Sequence, residues 1–240
     1  MGKLNKDSSV PLYQQLVNEI RNQILTGTLK ANDRLLTEIE LSKEYDISRI
    51  TVRKAIEMLV EEEILVKKQG IGTFVAEKKL TRSVNGFMGF TQSCETEGRK
   101  TGTKLLRADL IDPTLTDIEQ LHLEENEKVI RIVRLRSCDD VPVIIEENHF
   151  PQKYAFLLGK DLNASLYGIL AESGIAMVRG VKNIGVCYAN EEEKEMLGVE
   201  LNAALLLIKD VAFDSEGNPV HTCKSISNPA RYSITVMTTV

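Results

Sequence analysis

The sequence predicts an α+β fold in two domains: a small N-terminal domain of three helices and a β-hairpin, and a larger C-terminal domain with a mostly antiparallel sheet. Residues 11–61 show helical apolar spacing, whereas beyond residue 85 short helical patterns alternate with strand patterns. Turn sequences at 139–142 and 215–219 suit hairpin connections, which favours antiparallel pairing. We expect the first domain at 1–76, a linker at 77–85 and the second domain at 86–240.

The first predicted helix starts at Pro11, a residue favoured at helix beginnings, and ends at Gly27, a residue common after the last turn. Its apolar face consists of Leu12, Tyr13, Leu16, Val17, Ile20 and Ile24. We expect this face to pack against the third helix.

Two further helices are predicted between residues 37 and 63. Thr37 and Glu40 form a capping-box pattern, so the second helix starts at Thr37. Ser48 follows a turn and is a suitable N-cap for the third helix. The third helix has one apolar stripe that we expect to be buried: Val52, Ala55, Ile56, Leu59 and Val60.

The charge order along the third helix is unusual. Arg49, Arg53 and Lys54 crowd its first half and three glutamates, 61–63, close it, although the helix macrodipole favours the reverse. A helix that inserts its N-terminal turns into the major groove of DNA needs this polarity. The alternative is a solvated helix with an accidental charge gradient.

Two short β-prone runs, 64–66 and 73–75, flank a segment rich in lysine and glycine, which predicts a hairpin. Its glycines would let the backbone approach a groove, and its lysines would attract phosphates independently of sequence. These residues are Lys67, Lys68, Gly70 and Gly72. Helix, turn, helix and wing is an order typical of DNA-binding domains.

These stretches resemble the GntR family of bacterial transcription regulators. The matching segments are 36–38, 47–55 and 70–75, in which a Ser-Arg-x-Thr-Val-Arg run precedes Gly-x-Gly-Thr-Phe. The resemblance implies a winged helix-turn-helix domain that binds double-stranded operator DNA of two-fold symmetry as a homodimer. There are two departures: Ile39 stands where relatives often carry a base-reading arginine, and Ile71 replaces a basic residue at the wing tip.

The residues expected to contact DNA lie at the starts of the second and third helices and in the wing. They are Thr37, Glu38, Ser48, Arg49, Thr51, Arg53, Lys54, Lys67, Lys68, Gly70 and Gly72. Because Ile39 and Ile71 remove two contacts, base specificity should depend mainly on Arg49, Thr51 and Arg53.

Composition also bears on whether the protein binds nucleic acid, crosses a membrane or holds a metal. Net charge is −5, but residues 1–79 carry 13 basic and 12 acidic side chains, so the case for nucleic acid rests on local placement. No run approaches the roughly 18 uncharged apolar residues of a membrane helix, and no signal peptide is visible, so we expect a cytoplasmic protein. The four cysteines form no CxxC pair, and only His221 near Cys223 hints at a metal, so no metal or cofactor is predicted.

Residues 77–85 are polar and charged without periodicity, so we interpret them as an interdomain linker. Beyond them, the predicted strands are 104–111, 129–137, 143–150, 178–188, 204–213, 220–227 and 232–239. The predicted helices are 90–96, 115–122, 165–173 and 191–197.

This second domain resembles the UTRA effector domain of the HutC branch of the same family, which has a chorismate-lyase-like fold. The resemblance is carried by Gly86-Phe87, Phe90-Thr91, Arg134-Leu135-Arg136, Val141-Pro142 with Glu146, Ser165-Leu166-Tyr167 and Arg231-Tyr232. It implies a domain that binds a small effector and forms the dimer.

Arg134 and Arg136 are two apart on a predicted strand, so both guanidinium groups project from one face. Such a pair favours a phosphate or carboxylate, because arginine offers planar, bidentate donors. Ser165, at a predicted helix start, would add a hydroxyl and free backbone N–H groups. The alternative is a pair of surface arginines bound to Glu146 or Glu147, and spacing alone does not separate the two.

By resemblance to relatives that sense phosphosugars, the effector site combines a phosphate-binding set with a sugar-facing set. The first set is Thr91, Arg134, Arg136, Ser165 and Tyr167, and the second is Glu146 and Arg179. Phe90 is also expected at the effector site. His221 and Ser227 stand where amino-sugar sensors carry an acid and a tyrosine. We therefore expect either a phosphorylated sugar other than an N-acetylated one or a looser specificity for phosphorylated sugars.

Three functions fit these patterns. The first is a repressor whose effector, a small anion, shifts the population of DNA-binding orientations. The second is a regulator of the same type that senses a carboxylate or an amino-acid derivative. The third is a lyase-like enzyme using Glu146 or His221, although no nucleophile with a base is recognisable. We expect the first.

Overall fold

The structure is a computed structural model that describes residues 4–77, 79–83 and 89–236. It divides into two compact units, Met1–Lys78 and Lys79–Val240.

The N-terminal unit contains three helices and an antiparallel hairpin. They are α1 (Leu12–Leu25), α2 (Glu38–Glu44), α3 (Arg49–Glu61), β1 (Leu65–Lys68) and β2 (Gly72–Val75). All five elements lie within two residues of the sequence prediction.

Side-chain caps fix where α2 and α3 begin. Thr37 Oγ1 accepts the Glu40 N–H at 3.3 Å while the Glu40 carboxylate accepts the Thr37 N–H at 2.7 Å. Ser48 Oγ accepts the Thr51 N–H at 3.1 Å. Both predicted caps are therefore confirmed, and each satisfies backbone donors that the helix itself leaves unpaired.

One apolar core joins α1 to α3. Its fully buried members are Leu16, Val17 and Ile20 of α1 and Val52, Ala55, Ile56 and Leu59 of α3. Leu65 and Val75 close the core from the hairpin. The predicted stripe is thus buried except at Val60, which is half-buried.

The second unit is built on a six-stranded sheet. Its elements are β3 (Leu80–Ser83), α4 (Phe90–Thr96), β4 (Thr101–Ile111), α5 (Leu115–Leu121), β5 (Val129–Cys138), β6 (Val141–Pro151), a 3-10 helix (Gln152–Gly159), α6 (Leu166–Glu172), β7 (Met177–Tyr188), α7 (Glu191–Leu197), β8 (Ala204–Asp214), β9 (Pro219–Ser227) and β10 (Tyr232–Thr235). The sheet order is β4-β5-β6-β9-β8-β7, and every neighbouring pair is antiparallel.

The two faces of this sheet are covered by different helices. Ile130, Ile132 and Phe150 pack on one face against α6 and the 3-10 helix. Ile145 and Ile226 pack on the other against the α7 region. Because alternate residues of a strand face opposite sides, Arg134 and Arg136 of β5 share the first face, while Arg131 lies on the second.

The predicted linker differs from the structure at Leu80–Ser83, which forms β3 and pairs in parallel with β10. Leu80 is fully buried, and its N–H donates to the Arg231 carbonyl at 2.8 Å. Four residues are too few to show periodicity, and the partner strand comes from the other end of the unit. Residues 78, 84 and 85 of the predicted linker, Gly86-Phe87 of the resemblance, and 237–239 of the predicted last strand lie outside the described residues.

The described residues also bear on the metal and membrane expectations. No described helix is long and apolar enough to cross a membrane. No group of three or more metal-ligating side chains occurs within the described ranges. The fold nevertheless brings two distant cysteines together: the Sγ atoms of Cys94 and Cys138 lie 3.2 Å apart, and burial raises the pKa of both thiols.

Candidate functional site

The N-terminal unit presents the residues predicted to contact DNA on one exposed segment of α3, the start of α2 and the hairpin. Ser48, Arg49, Arg53 and Lys54 are exposed, and Thr51 is half-buried. Lys67, Lys68 and Gly70 of the hairpin are exposed as well, and so is Thr37. The capped, buried core beneath them holds these side chains on rigid backbone.

Two of these cations are already partnered. The Arg53 guanidinium donates to the Glu38 carboxylate at 2.9 Å, and this hydrogen bond lowers the pKa of Glu38. The Lys54 ammonium lies 3.9 Å from the centre of the Tyr13 ring. Arg49, in contrast, makes no hydrogen bond or salt bridge with the described residues, so its fork is available to a base edge.

The acidic end of α3 has a compensation that the sequence did not reveal. Glu62, its C-cap residue, forms a salt bridge with Arg21 of α1. The unfavourable carboxylate at the C-terminus is thus offset by a neighbouring helix. The basic first half of α3 has Glu38 alone as its salt-bridge partner among the described residues.

Gly72 has a structural reason of its own. Its φ is +146°, and a Cβ there would lie 2.9 Å from Nε of Arg34. Arg34 forms an isolated bridge with Phe74 beside the hairpin. The positive φ therefore favours glycine at this position, in addition to any approach to DNA, whereas the Arg34 side chain could move away from a Cβ.

A small cavity of about 30 Å³ lies in the second unit, on the Arg134 face of the sheet. It brings together seven of the ten predicted effector residues: Phe90, Thr91, Arg134, Arg136, Glu146, Ser165 and Tyr167. They come from α4, β5, β6 and the start of α6, so the predicted cluster exists in three dimensions.

The two arginines of β5 converge on one carboxylate. Arg134 Nη2 donates to Glu146 Oε2 at 2.9 Å, and Arg136 Nη1 donates to the same oxygen at 3.1 Å. Arg136 Nη2 also donates to Thr91 Oγ1 at 2.9 Å. Both arginines are at most 3% exposed. The alternative of surface arginines is therefore wrong about exposure, although the pairing with Glu146 is present.

Charge in the cavity is unbalanced towards positive. The guanidinium groups of Arg82, Arg134 and Arg136 line it with Glu146, while the Asp210 carboxylate is held by Lys182 at 2.6 Å. Burial alone would raise the pKa of Glu146, but the three guanidinium groups hold it below its ordinary value. Glu146 is therefore ionised, and one carboxylate faces three cations.

Buried donors at the cavity remain without partners. Within the described residues, no hydrogen bond is made by Nε of Arg82, Arg134 or Arg136, nor by Nδ2 of Asn148. Unpaired buried donors are rare in folded proteins and indicate water or a ligand at that place. Donors that converge with excess positive charge fit an oxyanion.

Three predicted effector residues lie outside this cavity. Arg179 is on β7, at the edge of the sheet, and its guanidinium lies 4.1 Å from the centre of the Phe213 ring. His221 stacks on Phe150 with centroids 5.0 Å apart, and burial lowers its pKa. Ser227 is buried further along β9. The family resemblance predicts that these three residues contact the effector. The cavity shows only part of the space that an effector would occupy, so this stays a prediction.

Seven lining residues were not among the predicted effector residues: Arg82, Gly89, Asn148, Leu166, Asp210, Cys223 and Ser225. Asn148 was within reach, because it stands two residues after Glu146 on the same strand. Cys223 and Ser225 likewise alternate between His221 and Ser227. Arg82 gave no signal, since its segment was interpreted as linker.

The opposite face of the sheet carries a different charged group. Arg131 makes two hydrogen bonds to Asp109, at 2.9 and 2.6 Å. His149 lies between Asp117, at 2.8 Å, and Glu147, at 3.1 Å. Burial alone would lower the pKa of His149, but the two carboxylates raise it to about 9. These charges satisfy one another.

Comparison with known proteins gives matches for both units. Residues 12–75 match the description "Bacterial regulatory proteins, gntR family", and residues 96–233 match the UTRA domain.

Two relatives and one solved structure extend these matches along the chain. The transcriptional repressor NagR of Bacillus subtilis is 31% identical over 96% of this chain and 96% of its own length. A probable fructoselysine utilization operon repressor of Escherichia coli is 28% identical over 98% of each chain. The crystal structure of PhnF from Mycobacterium smegmatis has the same fold, with a TM-score of 0.74 at 23% identity over 93% of this chain and 98% of that one.

Proposed function

Because the chain belongs to the GntR family of bacterial regulatory proteins and carries a UTRA domain, we propose that it represses transcription until its cavity binds a small anion. Membership of this family makes it a transcriptional repressor of the GntR/UTRA type and not an enzyme. The effector, the operator contacts and the dimer are parts of the proposal.

The observation that carries the proposal is the buried cavity in which three arginines face one carboxylate. Placing guanidinium groups away from water is unfavourable unless an anion compensates them. Glu146 compensates them only in part. A phosphate, with up to two charges and three acceptor oxygens, would complete the balance and accept from the unpaired Nε donors.

A phosphorylated sugar is the effector that we favour. Thr91, Ser165 and Tyr167 supply hydroxyl groups beside the arginines, which suits the oxygens of a phosphate ester. The names of the relatives agree with a carbohydrate, since one of them is the probable repressor of a fructoselysine utilization operon. A carboxylate or amino-acid derivative is the second candidate, because the same guanidinium forks bind carboxylates.

The operator contacts that we propose follow from the exposed cations of the N-terminal unit. Arg49 would read a base edge, with Thr51 and Arg53 beside it, while Lys67 and Lys68 of the hairpin would contact phosphates. Thr37, Glu38, Ser48, Lys54, Gly70 and Gly72 complete the proposed surface.

A homodimer would supply the second DNA-binding unit that a two-fold operator requires. The edge strand β7 supports this part of the proposal, because it exposes a row of apolar side chains. They are Val178, Val181, Ile184, Val186 and Tyr188, which are 47–70% exposed. Exposed apolar side chains grouped on an edge strand are typical of a surface that contacts another chain.

The proposal is tested by operator binding with and without effectors. Fluorescence anisotropy with genomic fragments, including the DNA upstream of the chain's own gene, would be measured alone and with a panel of sugar phosphates and carboxylates. We expect one sugar phosphate to weaken binding to one fragment. Failure of every fragment to bind would contradict the proposal, and release by carboxylates alone would favour the second candidate.

Two variants separate the two activities. Arg49→Ala should weaken specific operator binding by about 1 to 3 kcal/mol and leave effector binding unchanged, because a base contact is lost. Arg134→Ala should abolish the effector response and leave operator binding unchanged. Arg131→Ala, on the same strand but the opposite face, is the matched control and should change neither. If both test variants lose both operator binding and the effector response, the assignment of these two activities to separate units is wrong.

A further inference from the structure

We propose that Arg82 of β3 is a third arginine of the anion site, and that through it a bound phosphate fixes the strand that follows the N-terminal unit. This inference rests on the proposed function, because it assumes that the cavity binds an anion. Neither the sequence motifs nor the family resemblance assigned a role to Arg82.

The surroundings of Arg82 are those of a ligand-binding arginine without its ligand. The residue is 8% exposed, and it lines the cavity beside Arg134 and Arg136. Its Nε is buried and makes no hydrogen bond with the described residues, and none of the salt bridges between described residues involves it. The polar side chain that acts most directly on its guanidinium is Tyr232, which is neutral and supplies no counter-charge. Arg134 and Arg136 have Glu146 as a direct partner, whereas Arg82 acts on that carboxylate only through its charge. A buried guanidinium in this state calls for an anion.

The size of the cavity determines which part of its lining must adjust. A space of about 30 Å³ holds one or two water molecules and is too small for a phosphate. Arg134, Arg136 and Glu146 lie on β5 and β6, and each of these strands is hydrogen-bonded on both sides within the sheet. Arg82 lies on a strand of four residues that pairs only with β10. Among the strands that line the cavity, β3 therefore has the fewest restraints.

A shift of β3 would affect two neighbouring parts of the chain, because β3 directly follows the N-terminal unit and is hydrogen-bonded to the end of α4. Leu80, its first residue, comes two positions after Lys78, where the N-terminal unit ends. The Thr81 N–H donates to the Glu97 carboxylate at 3.0 Å, which ties β3 to the end of α4. α4 also carries Phe90 and Thr91 of the cavity. An anion held by Arg82, Arg136 and Thr91 would thus clamp β3 and α4 together and restrict the strand that directly follows the N-terminal unit.

Inorganic phosphate is the probe for the first test, with binding to the full chain measured by calorimetry. Arg82→Gln should weaken phosphate binding by about tenfold or more, since a charge-assisted hydrogen bond is lost. Arg82→Lys keeps the charge without the fork and should lie between Arg82→Gln and the unaltered chain. Arg131→Gln, a matched arginine on the opposite face, should bind phosphate as the unaltered chain does.

Hydrogen exchange is the second measurement, because it reports on β3 itself. Saturating phosphate should slow amide exchange at residues 80–82 in the unaltered chain and in Arg131→Gln. In Arg82→Gln, at a phosphate concentration that saturates that variant, exchange at the same residues should stay at its phosphate-free rate. Thermal unfolding would confirm that each variant is folded, and Arg82→Lys serves if Arg82→Gln is not.

The outcomes distinguish this inference from the proposed function. Phosphate binding and β3 protection that survive in Arg82→Gln but are lost in Arg134→Gln overturn the role of Arg82 and leave the anion site standing. An equal loss in Arg131→Gln also overturns it, because total charge would then explain the effect. Absence of phosphate binding by the unaltered chain overturns the anion site and this inference together.

Discussion

The DNA-binding surface and the anion cavity both depend on arginine, but they use it in opposite environments. Arg49 and Arg53 stand exposed on α3, where water solvates them and salt screens them. Arg134 and Arg136 are buried, where a charge without a partner is strongly unfavourable. Exposed cations therefore lower the free energy of unfolding very little when no DNA is bound. Buried cations need a counter-charge, and Glu146 supplies part of it to Arg134 and Arg136 before any ligand arrives.

The largest effect that would test this contrast comes from removing one carboxylate in each region. Glu146→Gln leaves Arg134 and Arg136 without a counter-charge, so we expect it to lower the free energy of unfolding by about 3 to 5 kcal/mol. Glu38→Gln removes the partner of Arg53, whose side chain is 53% exposed, and should cost less than about 1 kcal/mol. Urea unfolding of the full chain, followed separately in each unit, measures both.

Added phosphate refines this comparison. It should stabilise Glu146→Gln more than the unaltered chain, because the anion then takes the place of the missing carboxylate. It should not stabilise Glu38→Gln more than the unaltered chain. Equal costs for the two substitutions would mean that water reaches the cavity arginines as freely as it reaches Arg53, and the contrast would fail.

The same contrast explains what the sequence could predict. The DNA-binding surface comes from consecutive elements within residues 36–75, and its caps and apolar stripe are local patterns. All of its elements were therefore predicted. The cavity draws on β3, α4, β5, β6, α6, β8 and β9, which are far apart in the chain. From the residues alone, the sequence could assign to the cavity only residues that form a local pattern, such as Arg134 and Arg136, which are two apart on one strand.

The differences between the predicted site and the cavity lining have physical reasons. Arg82 was missed because a four-residue strand is defined by its partner, β10, and not by its own pattern. Arg179, His221 and Ser227 were placed by resemblance, which gives a residue's position in a motif but not the direction of its side chain here. Arg179 packs on Phe213 and His221 stacks on Phe150, so neither side chain lines the cavity, and their contact with an effector stays a prediction.

A smaller effect is expected from the opposite face of the sheet, where charges are buried but paired. The pKa of His149 is raised from 6.5 to about 9, so its charged form stabilises the fold fully below pH 6.5, and that stability is lost as pH rises through about 9. Between pH 6 and pH 10, the unaltered chain should lose on the order of 2 to 3 kcal/mol more than His149→Gln. Denaturant unfolding at each pH measures the difference.

This prediction has its own internal control. Other groups titrate over the same range, but their contributions cancel when the two chains are compared at each pH. Asp117→Asn should reduce the same pH dependence, because it removes the closer of the two carboxylates, at 2.8 Å. A pH profile of His149→Gln that parallels that of the unaltered chain would show that His149 is neutral in the fold.

The smallest expected effect belongs to single exposed lysines of the hairpin, and salt dependence reveals it better than affinity. Each lysine that contacts a DNA phosphate adds about 0.9 to the slope of log K against log salt, because it releases a counterion. Lys67→Ala or Lys68→Ala should lower that slope by about 1 for each subunit bound, hence by about 2 for the proposed dimer. Lys100→Ala, an exposed lysine of the second unit paired with Asp140, is the matched control and should leave the slope unchanged.

A fall of 1 for the whole complex would mean that only one hairpin reaches DNA, and an unchanged slope would remove the hairpin from the interface. Because the cavity arginines are shielded from solvent, Arg134→Ala should leave the slope unchanged too, which separates the two uses of arginine in one experiment.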